Sequence, residues 1–184
     1  KTRFISWKFF GRRDLIWDKQ TGNVRIESQP DSTIYLVNEK TGVGRVRIKG
    51  TEITEPDSLK KLLDKAKGIW INDSYWLVMP FKRKDSGVTI KYTGVDTRGQ
   101  KTLSGNLCHS LVLTFNGVGV TPQNMYKLYV DKHEKLVRYW AYYPNVMEND
   151  KMGFTRPWDN YKKFGSVLLS ADRSDGGGPT NLKV

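Results

Sequence analysis

The sequence predicts a mainly β protein of the α+β type, in which antiparallel strands follow one another and a helix interrupts them. Short runs rich in β-branched and aromatic residues alternate with clusters of turn residues. No helical pattern separates the first of these runs, whereas parallel βαβ units would require one. A single later segment has the apolar spacing of an amphipathic helix. These observations favour an antiparallel meander with one helix.

Five strands are predicted ahead of the helix, with turns between them that are rich in glycine, proline and polar residues. The pairs Thr21-Gly22 and Thr41-Gly42 supply the conformationally permissive glycine that a tight connection needs. The predicted strands are Arg3–Phe9, Asp14–Asp18, Asn23–Glu27, Thr33–Val37 and Val43–Lys49.

The helix is predicted over Pro56–Lys67, in the segment EPDSLKKLLDKAKG. Its apolar residues fall at positions i, i+3, i+4 and i+7, on one face of a helix: Leu59, Leu62, Leu63 and Ala66. Asp57 and Ser58 are candidate N-terminal caps, and Gly68 is predicted to end the helix. A single apolar stripe indicates that the helix covers an apolar surface.

Strands are predicted to resume at IWI and SYWLVMPFK and to continue through GVTIKY and CHSLVLTF. The segment NMYKLYVDKHEKLVRYWAYYPN predicts a hairpin around the polar turn DKHEK. WDNYKKFGSVLLSAD is predicted to form either one bent strand or two, before the loop RSDGGGPTN and a closing strand. No internal repeat or interdomain linker is visible, so residues 1–184 are predicted to form one domain.

The chain is basic, with 31 Lys and Arg against 19 Asp and Glu and a net charge of +12. This charge favours contact with nucleic acid, a membrane surface or an acidic ligand. One of the densest basic spots is Arg45-Arg47-Lys49, on alternate residues of a predicted strand. A soluble surface whose edge strands carry lysine has a similar composition, so both interpretations stay open.

No constellation of residues points to catalysis. Cys108 and His109 are neighbours in a predicted strand and therefore point to opposite faces, which separates a nucleophile from its base. The histidines and the cysteine lack the short spacing of a zinc site. FNGVGVTP lacks the third glycine of a dinucleotide fingerprint, and ADRSDGG lacks the glutamate that closes a calcium loop. We expect a non-enzymatic protein with no catalytic residues, no metal and no cofactor.

Aromatic residues dominate the predicted strands, with six Trp, nine Tyr and seven Phe in the chain. A sheet with one face in water needs apolar residues on the other face only. Several of the predicted strands are nevertheless apolar on both faces. In the predicted strand SYWLVMPFK one face carries Tyr75, Leu77, Met79 and Phe81. Such strands either pack into a core on both sides or line a cavity, and both alternatives stay open.

Three segments resemble a family of uncharacterised bacterial envelope proteins, itself similar to the outer-membrane lipoprotein carrier and lipoprotein-sorting (LolA/LolB-like) superfamily. They are GIWINDSYWLVMPFKRKDSGVTIKY, GVGVTPQNMYKLYVDKHEKLVRYWAYY and RPWDNYKKFGSVLLSADR. The resemblance implies an open, strongly curved antiparallel sheet, or half barrel, with one or a few helices on its concave face. Carriers of this class hold acyl chains in that hollow. Their usual helix ahead of the first strands is not seen after Lys1.

The resemblance and the two-faced strands together lead to the functional expectation of an apolar-ligand binder or carrier. The predicted partners are a lipid or acyl chain and, in addition, a lipoprotein or envelope protein. Residues predicted to line the hollow are Tyr75, Leu77, Met79, Phe81, Tyr92, Leu111 and Leu113, and those of the lid helix are Leu59, Leu62 and Leu63.

We expect an exported protein that is located in the periplasm or associated with the outer membrane. A signal peptide or lipid anchor upstream of Lys1 and contact with a membrane surface are left open. The alternative functions are a basic module for anionic surfaces or nucleic acid, of which nucleic acid is the less favoured, and an interaction domain with an exposed apolar sheet face.

Overall fold

The computed structural model describes residues 3–96, 107–145 and 151–184. The chain forms two compact units. The first unit comprises residues 1–77, 161–172 and 176–184, and the second comprises residues 78–160 and 173–175. The single domain predicted for residues 1–184 stays a prediction.

The first unit is built on an open, seven-stranded antiparallel sheet with the strand order β14-β1-β2-β3-β4-β5-β6. Its strands are β1 Phe4–Phe9, β2 Arg13–Asp18, β3 Asn23–Ser28, β4 Thr33–Asn38, β5 Gly44–Ile48, β6 Thr51–Glu52 and β14 Pro179–Lys183. The five strands predicted ahead of the helix are confirmed, each to within one residue at either end. Their turn chemistry and residue composition were sufficient to locate them.

Alternate residues of these strands build the core of the first unit, because successive side chains of a strand point to opposite faces. The buried side chains of this face are Ile5, Trp7, Phe9, Leu15, Val24, Ile26, Tyr35, Val37 and Val46. The residues between them point away from this core.

The helix α1 spans Pro56–Val78 and begins where it was predicted to begin. The carboxylate of Glu55 caps it, accepting hydrogen bonds from the backbone N–H groups of Asp57 (2.9 Å) and Ser58 (2.7 Å). The predicted caps Asp57 and Ser58 are therefore wrong, since both lie inside the first turn. The Leu59 N–H donates to the Glu55 carbonyl oxygen, which closes the first helical turn.

The predicted end of the helix at Gly68 is wrong, and so are the strands predicted at IWI and SYWLVMPFK. Ala66, Trp70, Asp73 and Leu77 are the buried residues of α1, and their spacing keeps one stripe on the core side over about three turns, by the helical repeat of about 3.6 residues. A glycine inside a helix costs only about 1 kcal/mol relative to alanine, and burial of this stripe outweighs it. Among the described residues, no helix is long and apolar enough to span a membrane.

Aromatic contacts attach α1 to the sheet of the first unit. The Trp70 ring lies 5.9 Å from the Trp7 ring and 4.9 Å from the Trp17 ring, measured between centroids. Farther along the helix, the Trp76 ring meets the edge of Phe9 at 5.7 Å. The helix therefore covers one face of the sheet, as its stripe predicted.

A small two-stranded sheet completes the first unit. Its strands, β12 Tyr161–Phe164 and β13 Val167–Ser170, are antiparallel and joined at Gly165, whose φ is positive. Of the two alternatives left open for WDNYKKFGSVLLSAD, the structure therefore shows two strands.

The second unit contains a five-stranded antiparallel sheet with the order β11-β10-β9-β8-β7. Its strands are β7 Val88–Asp96, β8 Cys108–Phe115, β9 Met125–Asp131, β10 Val137–Tyr143 and β11 Phe154–Pro157. A 3₁₀ helix, Met79–Lys84, precedes them. Pro80 lies near its beginning and has no N–H to continue an α-helical ladder. The predicted hairpin and the strand CHSLVLTF are confirmed.

The hairpin of β9 and β10 is apolar on both faces because each face packs against other side chains of its own unit. On one face the Tyr126 ring stacks on the Trp140 ring at 5.1 Å, and Trp140 meets the edge of Trp158 at 5.7 Å. On the other face Cys108, Tyr129 and Ala141 form a small buried cluster. Of the two alternatives left open for two-faced strands, a packed core and a cavity, this hairpin shows a packed core on both faces.

The predicted class is confirmed. The structure is mainly β, its large sheets are antiparallel and open, and it has one α-helix in the described part of the chain.

Candidate ligand-binding groove

The face of the seven-stranded sheet that points away from α1 carries large exposed apolar side chains. Phe4, Ile16, Leu36 and Val43 are 51%, 43%, 38% and 71% exposed. Both neighbours of Leu36 in β4 are buried in the core, so strand alternation places Leu36 on the outer face. Ile16 lies between the buried Leu15 and Trp17, whose ring contacts α1, so it is on the outer face as well. These strands are therefore apolar on both sides, and α1 covers only one of them.

A groove of about 530 Å³ runs along this outer face. Small-molecule sites usually have volumes of roughly 300–1,000 Å³ and mostly apolar walls. Phe4, Ile16, Leu36 and Val43 supply the apolar part of the lining, and Arg25 and Arg45 supply two cations.

The strand register explains why apolar and basic side chains alternate across the groove. Ile16 pairs with Arg25, Arg25 with Leu36, and Leu36 with Arg45, so these residues form one row across β2, β3, β4 and β5. Residues paired directly across a ladder stand on the same face and within side-chain reach. Leu36 therefore lies between two guanidinium groups.

A smaller groove of about 200 Å³ adjoins the first at these arginines. Leu36 and Ile34 form its apolar part, and Arg25, Arg45 and Arg47 surround them. Arg45 and Arg47 are alternate residues of β5 and so project from the same face. The basic spot noted in the sequence at Arg45 and Arg47 thus lies beside exposed apolar side chains.

The acidic residues near these arginines neutralise two of the three. Arg25 Nε donates to Glu27 Oε1 at 2.7 Å, and Arg47 Nη2 lies 3.3 Å from Glu52 Oε2. Arg45 is exposed and has no acidic partner within the described part of the chain. The groove therefore has one guanidinium that is not engaged by a carboxylate.

Asp18 is a further lining residue of the groove, and its carboxylate is held in the charged form. Arg3 Nε and Nη2 donate to Asp18 Oδ2 at 2.9 and 2.6 Å, and the Gln20 N–H donates to Oδ1 at 3.0 Å. The hydrogen bond from Arg3 is the largest influence that lowers the pKa of Asp18, to about 2. This carboxylate is therefore occupied and charged near neutral pH.

Comparison with known proteins finds one solved structure with a similar fold and no related sequence. No protein-family model matches the chain, and no curated protein matches its sequence. A crystal structure from Vibrio parahaemolyticus, of a domain named as an outer membrane lipoprotein-sorting protein, is similar over 98% of this chain and 82% of its own. The two are 9% identical, with a TM-score of 0.41. The word sorting describes that domain and assigns no function to the groove of this chain.

The residues predicted to line a hollow lie in two different units. Tyr75 and Leu77 are on α1, in the first unit. The residues of the second unit are Met79 and Phe81 on the 3₁₀ helix, Tyr92 on β7, and Leu111 and Leu113 on β8. The alternation that selected Tyr75, Leu77, Met79 and Phe81 assumed a strand, and that assumption is wrong because this segment is helical.

Within the second unit, the structure brings part of the predicted set together. Tyr92 pairs directly with Leu111, and Leu113 follows on the same face of β8. Leu113 and Met79 are fully buried, whereas Phe81 and Tyr92 are exposed. The ligand-binding role of the set stays a prediction.

The predicted lid residues lie on the first half of α1. Leu59, Leu62 and Leu63 are all half-buried. A side chain at Gly44 of β5 would meet Leu63 Cδ2 at 2.9 Å, so this part of the helix packs closely on the sheet. Their function as a lid stays a prediction.

Sequence reasoning missed the groove, although two signals for it were present. Ile16 stands between Leu15 and Trp17, and Leu36 stands between Tyr35 and Val37, so neither strand alternates with polar residues. The second signal was the alternation of arginines in β5. Only the pairing of the strands shows that both signals belong to one surface.

Cys108 and His109 are not paired for catalysis. Cys108 is buried opposite Asp131, and its pKa is raised, chiefly by burial. His109 is on the other face of β8, where its Nδ1 lies 3.2 Å from the Tyr92 hydroxyl. The separation expected from strand alternation is confirmed.

Proposed function

We propose that this protein binds the acyl chain of a lipid or lipoprotein in the outer-face groove, without catalysing a reaction, and carries it within the bacterial cell envelope. The observation that carries the proposal is the groove of about 530 Å³ walled by Phe4, Ile16, Leu36 and Val43. The envelope location, in the periplasm or at the outer membrane, rests on the sequence resemblance.

The physical basis of binding is the exposed apolar surface. An exposed aliphatic or aromatic side chain orders water around it, and covering it with hydrocarbon removes that surface from water. Each methylene of a ligand contributes about 0.8 kcal/mol when it is fully buried. Because the groove is open on one side, a bound chain gains only part of this, which suits a carrier that must release its cargo.

The first test is native mass spectrometry of protein expressed in bacteria and purified without detergent. The expected result is a population of molecules that carry lipid. Isothermal titration calorimetry with decanoyl glycerol, below its critical micelle concentration, should then show saturable binding. A lipid-free mass together with no heat of binding contradicts the proposal.

A matched pair of variants locates the site. Leu36→Ser removes an apolar side chain from the groove, whereas Leu168→Ser changes a side chain of similar exposure (41%, against 38% for Leu36) on the β12–β13 hairpin, outside it. Leu36→Ser should weaken decanoyl glycerol binding at least fivefold, and Leu168→Ser should leave it unchanged. Equal effects of both variants contradict a site in the groove.

A third variant separates the groove from the hollow predicted from the sequence. Tyr92→Ser alters an exposed member of that predicted set in the second unit. Loss of binding in Tyr92→Ser, with wild-type binding in Leu36→Ser, moves the site to the predicted set. If the exposed apolar face instead serves as an interaction surface between proteins, the molecular mass in solution should increase with protein concentration in lipid-free samples.

A further inference from the structure

We infer that the amphiphile bound in the groove carries a phosphate headgroup, which Arg25, Arg45 and Arg47 contact while its acyl chain lies along Leu36 and Ile16. This inference rests on the proposed function and specifies the class of lipid. It follows from the position, the charge and the geometry of the three arginines.

The arginines lie among the apolar side chains of the groove. Arg25 lies between Ile16 and Leu36 in the row that crosses the sheet. Arg25 and Arg45 flank Leu36 on neighbouring strands, and strands of a sheet are about 4.8 Å apart. Arg47 is two residues farther along β5 on the same face, beside Ile34. A ligand whose chain contacts Leu36 therefore has its polar end within reach of all three guanidinium groups.

The charge of this cluster favours an anion. Three guanidinium groups face two carboxylates, those of Glu27 and Glu52, which leaves an excess of one positive charge. Both ion pairs are on the surface, where such pairs are weak and solvent-screened. A ligand anion can replace them as well as engage Arg45, which has no acidic partner among the residues that the structure describes.

Phosphate fits this arrangement better than carboxylate does. Guanidinium groups bind phosphate and carboxylate oxygens through paired N–H donors. The two oxygens of a carboxylate lie in one plane, whereas a phosphate monoester directs three oxygens around a tetrahedron. Arginines that approach from two strands and from two positions on one strand can therefore all contact one phosphate.

The same surface is poorly suited to nucleic acid. Proteins that bind single strands stack the bases on aromatic side chains between basic residues. Here the side chains between the arginines are aliphatic, namely Leu36 and Ile34. A hydrocarbon chain needs only apolar contact, which these side chains provide.

The experiment compares three ligands with the same decanoyl chain by isothermal titration calorimetry below their critical micelle concentrations. They are decanoyl glycerol, decanoate and decanoyl glycerol phosphate. We expect the phosphate ligand to bind at least tenfold more tightly than decanoyl glycerol, which corresponds to 1.4 kcal/mol. Decanoate should bind more weakly than the phosphate ligand.

Each other outcome overturns the inference in a recognisable way. Equal affinity for decanoyl glycerol and its phosphate shows that the headgroup is not recognised, while the proposed acyl-chain binding stands. Equal affinity for decanoate and the phosphate ligand shows a general anion preference and overturns the phosphate assignment. Binding of none of the three overturns the proposed function itself.

Two variants with the same change of net charge test the arginine contact. Arg45→Gln alters the cluster, and Arg12→Gln alters an exposed arginine in the turn between β1 and β2, outside the groove. Arg45→Gln should reduce the preference for the phosphate ligand over decanoyl glycerol at least fivefold. Arg12→Gln should leave that preference intact. An equal reduction in both variants attributes it to the overall charge and overturns the assigned contact.

Discussion

Arg13 on β2 holds Asp73 on α1 through two hydrogen bonds, Nε to Oδ2 at 2.7 Å and Nη2 to Oδ1 at 3.0 Å. The Asp73 side chain is completely buried, and Arg13 is three-quarters buried. Burial is the largest influence on the pKa of Asp73 and raises it, while the hydrogen bonds from Arg13 and Asn72 lower it. The only charged residue of the buried stripe of α1 is thus matched by a base of the sheet it covers.

Removing Arg13 should destabilise the protein strongly. Arg13→Met keeps much of the side-chain length but leaves the Asp73 carboxylate buried without its counter-ion, and losses of about 3–5 kcal/mol are typical of such changes. Urea unfolding at pH 7, monitored by circular dichroism, measures the free energy of unfolding of both proteins. Because a protonated Asp73 needs no counter-ion and burial raises its pKa, part of the loss should return as the pH is lowered from 7.

Two further variants control this prediction. Arg25→Met breaks the exposed pair with Glu27 and should cost no more than about 1 kcal/mol. The double variant Arg13→Met/Asp73→Leu replaces the whole buried pair by apolar side chains and should recover most of the stability. Losses of the same small size in Arg13→Met and Arg25→Met would show that the buried pair has no special importance.

Two glycine-to-alanine substitutions should change stability in opposite directions. A Cβ at Gly44 would overlap the backbone carbonyl oxygen of Leu36, so Gly44→Ala should cost about 1–3 kcal/mol through overpacking. Gly68 lies inside α1, where an added Cβ would meet no atom within 4 Å other than those of its chain neighbours and of the adjacent helix backbone. Gly68→Ala should therefore stabilise the protein by about 0.5–1 kcal/mol through helix propensity. Thermal unfolding of both variants checks the signs, and a stabilised Gly44→Ala would refute the close approach of β5 to β4.

The pair formed by Arg3 and Asp18 should contribute stability that depends on pH. The pKa of Asp18 is about 2 in the folded protein and near 3.9 in an unfolded chain. A carboxyl group whose pKa is lowered by folding stabilises the fold in full when the pH is above its pKa in the unfolded chain. This stabilisation is lost as the pH falls through its pKa in the folded protein. Asp18→Asn should therefore be less stable than wild type at pH 7, with the difference shrinking between about pH 4 and pH 2.

The control for Asp18 is Asp64→Asn, which changes an exposed carboxylate of α1 that has no ion pair in the described part of the chain. The stability of Asp18→Asn is compared with that of this control at each pH. Denaturant titrations at four or five pH values measure both stabilities. A difference for Asp18→Asn that does not vary with pH would contradict the role assigned to Arg3.

The strands of the first unit were predictable because their signals are local. Turns at Gly22 and Gly42 bound runs of β-forming residues, and both glycines have positive φ, as such turns require. The length of α1 was not predicted, because Gly68 is a local stop signal and the aromatic run that follows suits a strand equally well. The burial of Trp70 and Leu77 on one stripe overrides both signals, and burial depends on the sheet that the helix meets.

The amino-acid sequence alone determined the mainly β class, the start of the helix and the placement of Cys108 and His109 on opposite faces of one strand. These follow from propensity, from turn chemistry and from the alternation of side chains, all of which act between near neighbours. Only the tertiary structure decided which apolar face α1 covers and which stays exposed beside Arg25, Arg45 and Arg47. Both faces of β2 and β4 are apolar, so local periodicity cannot distinguish them, and the choice depends on contacts between residues far apart in the chain.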